Sequence, residues 1–470
     1  MNKHRFALTL ALSALLLGLA GDLLLRWIPW GLNVPLWVAL AVAVAVHGTA
    51  GTERRVALFP AVCALLSAAG LVWRDAELLR VLDVALLLFF LPMLALRVRG
   101  VQLGRAGLSE VGLAVAATGA QTVAGVPRLV FSDIPWRELP ARGTMRAGGV
   151  AARGLVLASP ALVVFAALLM SADAAFAKLI QNLFLFDVPD AATHLIVTIV
   201  LGAACAGFLR SLLLSGAMPR VPRPSFVKLP AAETSVALAL VNLLFAAFVL
   251  VQFRYFFLIT NPASLARYAR RGFFELVLVV ALVLPMLLLL DWLVEKKSKL
   301  FRALIGAQVA LVLVIAASAM RRMQLYRDAF GLTELRLYTT AFMVFLSVLL
   351  LWLVATVLTG NRHRFAAGAI ATGMIAVLAL HAINPDAFIA TTNIARARAG
   401  LRVLDARYVA HLSDDAAPVI LANRDAFAAQ PEALWRFLAK PRTIGWRTWN
   451  VSRARAIREL RLYESNASGR

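Results

Sequence analysis

The sequence is short of cysteine, of acidic residues and of catalytic signatures. Among 470 residues there are two cysteines, Cys63 and Cys205, each inside an apolar run. Thiols so placed give neither a disulfide framework nor a thiolate metal site. Asp and Glu number 25 against 48 Lys and Arg, a net charge of +23. No G-x-x-x-x-G-K-[ST] loop occurs, which excludes a P-loop nucleotide site, and H-E-x-x-H and G-x-S-x-G are missing as well. The six histidines (His4, His47, His194, His363, His381 and His411) have no ligand spacing, and His47 and His381 read as satisfied or lumen-facing side chains. Neither a cofactor nor a metal is expected.

What is abundant is apolar surface. Hydrophobic residues make up 61% of the chain and the mean hydropathy is +0.80, where soluble domains run near about 45–50% apolar. Long apolar runs recur at Phe6–Leu25, Val34–Ala50, Val56–Trp73, Val84–Leu96, Gly154–Ser171, Ala191–Leu209, Thr234–Phe253, Phe273–Leu290, Ala303–Met320, Leu337–Gly360 and Phe365–Ile383, uncharged except for Asp22 and Glu275. A helix of roughly twenty apolar residues crosses a bilayer. The runs are continuous rather than alternating, which excludes a β-barrel. The expected fold is all-α, a polytopic transmembrane helical bundle of about eleven spans. Its basic loops meet anionic headgroups and orient the chain, so membrane lipids are the expected partners and nucleic acid is not. The N-terminal "MNKHRFALTLALSALLLGLAGDLLLRW" resembles a signal peptide, but its apolar run is long enough to span and reads as an uncleaved first helix.

With the N-terminus inside, the eleven spans leave 22 Lys and Arg in inside loops and 11 in outside loops, the expected direction. Treating "VGLAVAATGAQTVAGV", 111–126, as another span gives 15 inside and 18 outside and removes the bias. Residues 111–126 are therefore read as interfacial or re-entrant, and the C-terminal tail as outside. Asp22, Asp291 and an Arg80–Asp83 pair at i, i+3 read as span-edge charges. The transmembrane core is assigned to 1–383. From Asn384 no spanning run occurs, and 384–470 reads as a small helical C-terminal domain, soluble or peripheral. In it Asp405 and Ser413 suit N-caps, Pro418 and Pro431 suit first turns, and Asp414 and Asp415 read as capping residues at a helix start.

Two outside loops break the charge trend. In "QFRYFFLITNPASLARYARRGFFEL", Arg267, Arg270 and Arg271 fall at i, i+3, i+4 on one helical face, beside Tyr268. Glu275 follows Arg271 by four residues in the weaker order, so Arg254 is its expected partner, in a buried pair. In "RRMQLYRDAFGLTELRLY", Arg322, Tyr326 and Phe330 share a stripe; Gly331 fits a C′ position, Thr333 an N-cap, and Glu334 the first turn of the helix carrying Arg336 and Tyr338.

These stretches, with "SADAAF" (171–176), "NIARARAGLRVLDARYV" and "LDARYVAHLSDDAAP", resemble a bacterial family of polytopic inner-membrane proteins known only as a domain of unknown function. The resemblance covers roughly 150 to the C-terminus. It implies a many-helix membrane core with a helical C-terminal region and a multi-pass place in the bacterial inner membrane, and the loop charges put the N-terminus on the cytoplasmic side. It carries no catalytic residues. Its motif positions here include Asp173, Arg254, Tyr268, Arg270, Arg271, Glu275, Arg322, Tyr326, Glu334, Arg336 and Tyr338.

Arginine forks match phosphate and carboxylate. The expected activity is binding or transport of an anionic, lipid-linked ligand by Arg254, Arg267, Arg270, Arg271, Arg322, Tyr326 and Arg336, supported by Asp173, Tyr268, Glu275, Glu334 and Tyr338. Two alternatives stand beside it: a non-catalytic scaffold or sensor whose tail binds a protein partner, and a transferase acting on a lipid carrier with Glu275, Glu334 or Asp173 as base.

Overall fold

In a computed structural model, the described residues are 3–26, 28–49, 51–101, 108–134, 188–216, 230–258, 273–294, 298–442 and 444–468, with single positions at 154, 158, 165, 169 and 173. The regular elements among them are all helices. A bilayer core offers the backbone no hydrogen-bond partner, so long apolar segments pair their amides internally. The membrane bundle comprises α1 (Lys3–Leu25), α2 (Asn33–His47), α3 (Gly51–Trp73), α4 (Glu77–Val98), α5 (Leu108–Arg128), α6 (Val188–Leu213), α7 (Ala231–Leu258), α8 (Phe273–Leu293), α9 (Lys299–Phe330), α10 (Glu334–Leu353) and α11 (Phe365–Ile383). Ten described segments are long and apolar enough to cross a membrane, and nine of the eleven expected spans are among them. Of the other two expected spans, the second, 34–50, holds α2 with only 15 residues, and the fifth, 154–171, falls largely outside the described residues. Leucines such as Leu243, Leu244 and Leu250 of α7 stand exposed, as side chains facing lipid would.

The bundle has two apolar cores. One gathers α1 to α6, with Ala366, Ile370 and Met374 of α11; the other gathers α7 to α10, with Phe365. In the first, α1 and α6 run antiparallel in close contact. A Cβ on Gly18 would lie 2.6 Å from the Thr198 carbonyl oxygen and 2.8 Å from the Gly202 Cα, so only glycine permits this crossing. Asp22 bonds His194 of α6 rather than standing alone at the interface. Asp291 of α8 is buried and pairs with Arg362 at 3.3 Å.

Residues 111–126 lie within α5, which is longer than that segment and continues through a π-helical turn at Leu129–Asp133; over 111–133 it is long and apolar enough to cross. Gln121 accepts from Arg99, just past α4, at 2.5 Å. Asp133 accepts from Arg210, in the last turn of α6, at 2.6 Å. Arg99 also donates to the Gly216 carbonyl beyond α6. The middle and finish of α5 thus both meet the end of the bundle where α4 and α6 finish.

The opposite end carries the C-terminal region. There α11 stops at Asn384, which takes the left-handed conformation (φ 55°), and Pro385 opens α12 (Pro385–Arg398). Short helices follow: α13 (Ala406–His411), α14 (Ala417–Ala422), α15 (Pro431–Leu438) and α16 (Val451–Ser468). Asp405 and Ser413 cap as expected, and Pro418 and Pro431 stand in first turns. The core of this region takes in Leu332 from the α9–α10 turn. Leu32 donates its N–H to the Trp449 carbonyl at 2.9 Å, and Leu332 to the Asn393 side chain at 2.8 Å. The finishes of α1, α3, α9 and α11 and the starts of α2, α4 and α10 therefore share the tail's side. Asn242 reaches the Leu304 carbonyl at 3.0 Å and Gln252 meets Ser318, so α7 runs parallel to α9 and finishes on that side too.

Candidate functional site

The tail grips the α3–α4 turn by its exposed backbone ends. The last carbonyls of a helix and the first amides of the next have no intrahelical partner. Asn450, fully buried, donates to the carbonyls of Leu71 and Arg74 at 2.9 and 3.0 Å. Asp415 Oδ2 accepts from the N–H groups of Asp75 and Ala76 at 2.7 and 2.9 Å. Its other oxygen takes the Ser452 hydroxyl and lies 3.5 Å from Arg74. Arg74 Nε in turn donates to the His381 carbonyl at 2.9 Å.

Around this clamp lies a dense set of ionisable groups. Asp75 faces Arg453 at 3.2 Å and Arg80 at 3.6 Å. Burial nonetheless pushes its carboxyl up to about 6; the two guanidiniums oppose the rise and the nearby Asp414 and Asp415 add to it. Asp414 pairs with Arg442 at 2.8 Å, and that guanidinium is also held by the carbonyls of Phe437, Leu438 and Lys440. Lys440 gives one N–H to the Leu412 carbonyl at 2.8 Å, and burial lowers its pKa. Asp386, 1% exposed, accepts from the Ser413 N–H at 3.0 Å through Oδ2, while Oδ1 has no hydrogen-bond partner among the described residues. Burial raises its pKa against the Ser413 bonds.

A cavity of about 880 Å³ opens between these groups, with Asp75, Glu77, Arg80, Glu334, Asp386, His411, Asp414, Lys440, Arg442 and Arg453 in its polar walls. Trp30, Val81 and Val84 add apolar lining. Val84 lies seven residues into α4, about 10 Å down the helix at 1.5 Å per residue. The cavity thus continues alongside a candidate span.

Below it, Asp83 bonds His381 Nε2 at 3.0 and 3.1 Å, both side chains almost wholly buried, and the imidazole stacks on Trp73. This corrects the expected Arg80–Asp83 pair: Arg80 goes to Asp75. Asp415 exceeds the local role expected of it, because the amides it caps in α4 are 340 residues away in sequence.

Of the residues expected to bind or support the ligand, Glu334 alone lines the cavity among the described residues. Its backbone N–H donates to the Tyr408 hydroxyl at 2.8 Å, and burial raises the Tyr408 pKa to about 12. Tyr338 is buried against Ala76, Leu79 and Leu380. Arg336 and Tyr326 come together, the guanidinium 4.2 Å from the ring centroid. Arg336 also donates to the carbonyls of Phe330 and Gly331. With Arg396 on the Asp328 carbonyl and Arg402 on that of Ala329, three arginines close the finish of α9. Gly331 stands at the expected C-cap with φ 78°, and Thr333 at the N-cap position makes no side-chain cap. Arg322 is buried within α9. Glu275 is exposed in the first turn of α8; the Arg254 side chain, and with it the expected pair, lie outside the described residues. So do Arg267, Tyr268, Arg270 and Arg271. Asp173 is exposed.

A bundle of apolar helices, closed at one end by a helical region that caps its turns, defines a multi-pass α-helical membrane protein. The chain belongs to the family described as a domain of unknown function, DUF4153, whose pattern covers residues 61–423. That stretch takes in Asp75, Asp83, Glu334, Asp386 and Asp415, and it ends before Lys440, Asn450 and Arg453. No curated protein and no solved structure matches the chain.

Proposed function

We propose that the protein binds, for presentation or transport, a ligand with an anionic head and an apolar body, and that the head enters the cavity between α4 and the C-terminal region. The observation that carries this reading is the change of character of that cavity along α4: Glu77 and Arg80 line it in the first turns of the helix, and Val81 and Val84 line it further on. An amphipathic ligand at the bilayer surface meets the same change along its length. Within the polar wall Arg442 is engaged by Asp414 and three carbonyls, and Arg80 and Arg453 share Asp75. Lys440 has a single hydrogen bond and two further N–H groups, and is the cation best placed to meet a phosphate. The arginine clamp expected at Arg267, Arg270 and Arg271 remains part of the proposal as an outer approach for the same anion. A location in the bacterial inner membrane with the N-terminus cytoplasmic belongs to this reading as well.

The test is native mass spectrometry of the full chain in detergent with dioctanoyl phosphatidic acid and dioctanoylglycerol. Phosphatidic acid should be retained over the diacylglycerol, and Lys440→Met should abolish the difference. Equal retention of both lipids by the wild type overturns the reading.

A second reading, a scaffold with a protein partner, is favoured by one observation. Trp435, Trp446, Leu401 and Val403 of the C-terminal region stand 66%, 58%, 68% and 80% exposed.

A further inference from the structure

Asp386 is a buried acceptor with half of its capacity unused. Its position follows from the chain around it: the left-handed Asn384 and the Pro385 start of α12 bring it into the first turn of that helix, under Ser413. Oδ2 is satisfied by the Ser413 N–H; Oδ1 is not satisfied by any described group, and the residue lines the cavity. Leaving a buried carboxylate oxygen bare is costly, and the cost is removed by a donor, best of all a charged one.

The surroundings narrow the class of donor. Glu334, from the first turn of α10, and Glu77, from the first turn of α4, stand in the same cavity wall as Asp386. Three carboxylates from three elements thus face one space, with no two of them bridged by a described cation. Among the described residues no three acidic, His or Cys side chains converge closely enough to hold a metal ion. A primary ammonium suits this wall: it is cationic, so all three carboxylates attract it, and it carries N–H groups of which one can go to Asp386. A quaternary ammonium has the charge and no N–H. Lys440, the cation assigned to a phosphate, lies in the same cavity and makes no hydrogen bond to Asp386.

We propose that the cavity recognises a phosphate carrying a primary aminoalkyl arm, with the phosphate at Lys440 and the ammonium at Asp386, Glu334 and Glu77. This rests on the anionic-head reading above and makes the head zwitterionic. The aminoalkyl phosphate can be a lipid headgroup or a free small molecule.

The experiment uses the full chain in detergent and native mass spectrometry with dioctanoyl phosphatidylethanolamine, phosphatidylcholine and phosphatidic acid at equal concentration. The expected preference for the ethanolamine over the choline lipid is about tenfold, the scale of one charge-assisted hydrogen bond. Asp386→Asn, which keeps an acceptor for the Ser413 N–H, should cut the preference to about twofold or less. Glu334→Gln should reduce it in the same direction. Equal binding of the ethanolamine and choline lipids by the wild type overturns ammonium recognition, as does a preference unchanged in both variants. Should Asp386→Asn fail to fold, the wild-type ratio and Glu334→Gln decide. If phosphatidic acid is held no better than dioctanoylglycerol, the anionic-head reading itself fails, which is a different result. Displacement of the lipid by soluble phosphoethanolamine identifies a free ligand; resistance to it identifies a lipid headgroup.

Discussion

Asp415 caps a helix that is not its own. Its carboxylate accepts the Ala76 N–H at 2.9 Å, at the N-cap position of α4, where the alanine side chain has nothing to offer. The tail thereby supplies what the turn lacks, and Asn450 does the same for the carbonyls that finish α3.

Removing Asp415 should therefore be severe. Asp415→Ala loses two backbone caps, the bond to the Ser452 hydroxyl and the ion pair with Arg74, a loss of about 3–5 kcal/mol. Asp425→Ala, which removes an exposed pair with Arg398, should leave the melting temperature unchanged. Thermal melts of both variants in detergent check this; similar melting temperatures would mean that the tail does not depend on the cap.

Asn450→Ala and Asp415→Ala act on one junction, so their effects should not add. Once either is absent the tail is already loosened, and the double variant should cost at least about 1 kcal/mol less than the sum of the singles. A double-mutant cycle of melts, with protease access to the tail as a second readout, measures the coupling. Strict additivity would separate the two contacts.

Gly70→Ala should destabilise, against the ordinary gain of about 1 kcal/mol for this change inside a helix. A Cβ at Gly70 would fall 2.5–2.7 Å from the Asp83 carboxylate, which holds His381. The cost should shrink when Gly70→Ala is combined with Asp83→Ala, although Asp83→Ala is damaging by itself. Melting temperatures of the two singles and the double give the comparison.

The pH dependence at Asp75 has a definite sign. Its folded pKa, raised to about 6, lies above its ordinary 3.8. The folded protein therefore takes up a proton there that the unfolded chain does not. This contribution to stability is fully present below about pH 3.8 and is lost as pH rises through about 6. Relative to Asp75→Asn, the wild type should gain on the order of 1–2 kcal/mol between pH 7.5 and pH 5. A stability difference that stays constant across that range would show that Asp75 does not titrate there.

Reporter fusions settle sidedness. A fusion at Asn361 should read cytoplasmic and one after Arg398 extracytoplasmic, because the two positions lie at opposite ends of α11 and the inside loops carry the excess of Lys and Arg. Reversal of both signals would overturn the charge-based orientation.

The class of the molecule was legible from composition alone. Spans such as 51–73 and 273–293 announce themselves because a bilayer admits little else than twenty apolar residues wound into a helix. Caps at Asp405, Ser413, Pro418 and Pro431 were legible too, since each acts within a turn of itself. The role of Arg336 was not. Its fork reads as an anion binder in sequence, and in the fold it takes the Phe330 and Gly331 carbonyls. Free helix-end carbonyls and phosphates present the same acceptor to a guanidinium, and sequence does not show which is within reach.

The junction lay further still from view. Asp415 looks like an ordinary capping residue at its own helix start, and Asp83 like the partner of Arg80. The first caps α4 from 340 residues away, and the second bonds His381, 298 residues on. Periodicity and propensity describe what a residue does with its near neighbours. The sequence by itself determined that the chain is a helical membrane protein, since hydropathy is a local sum. Only the tertiary structure decided which buried carboxylates found donors for both oxygens and which, Asp386 among them, kept one oxygen bare, because a hydrogen bond depends on distance in space and not along the chain.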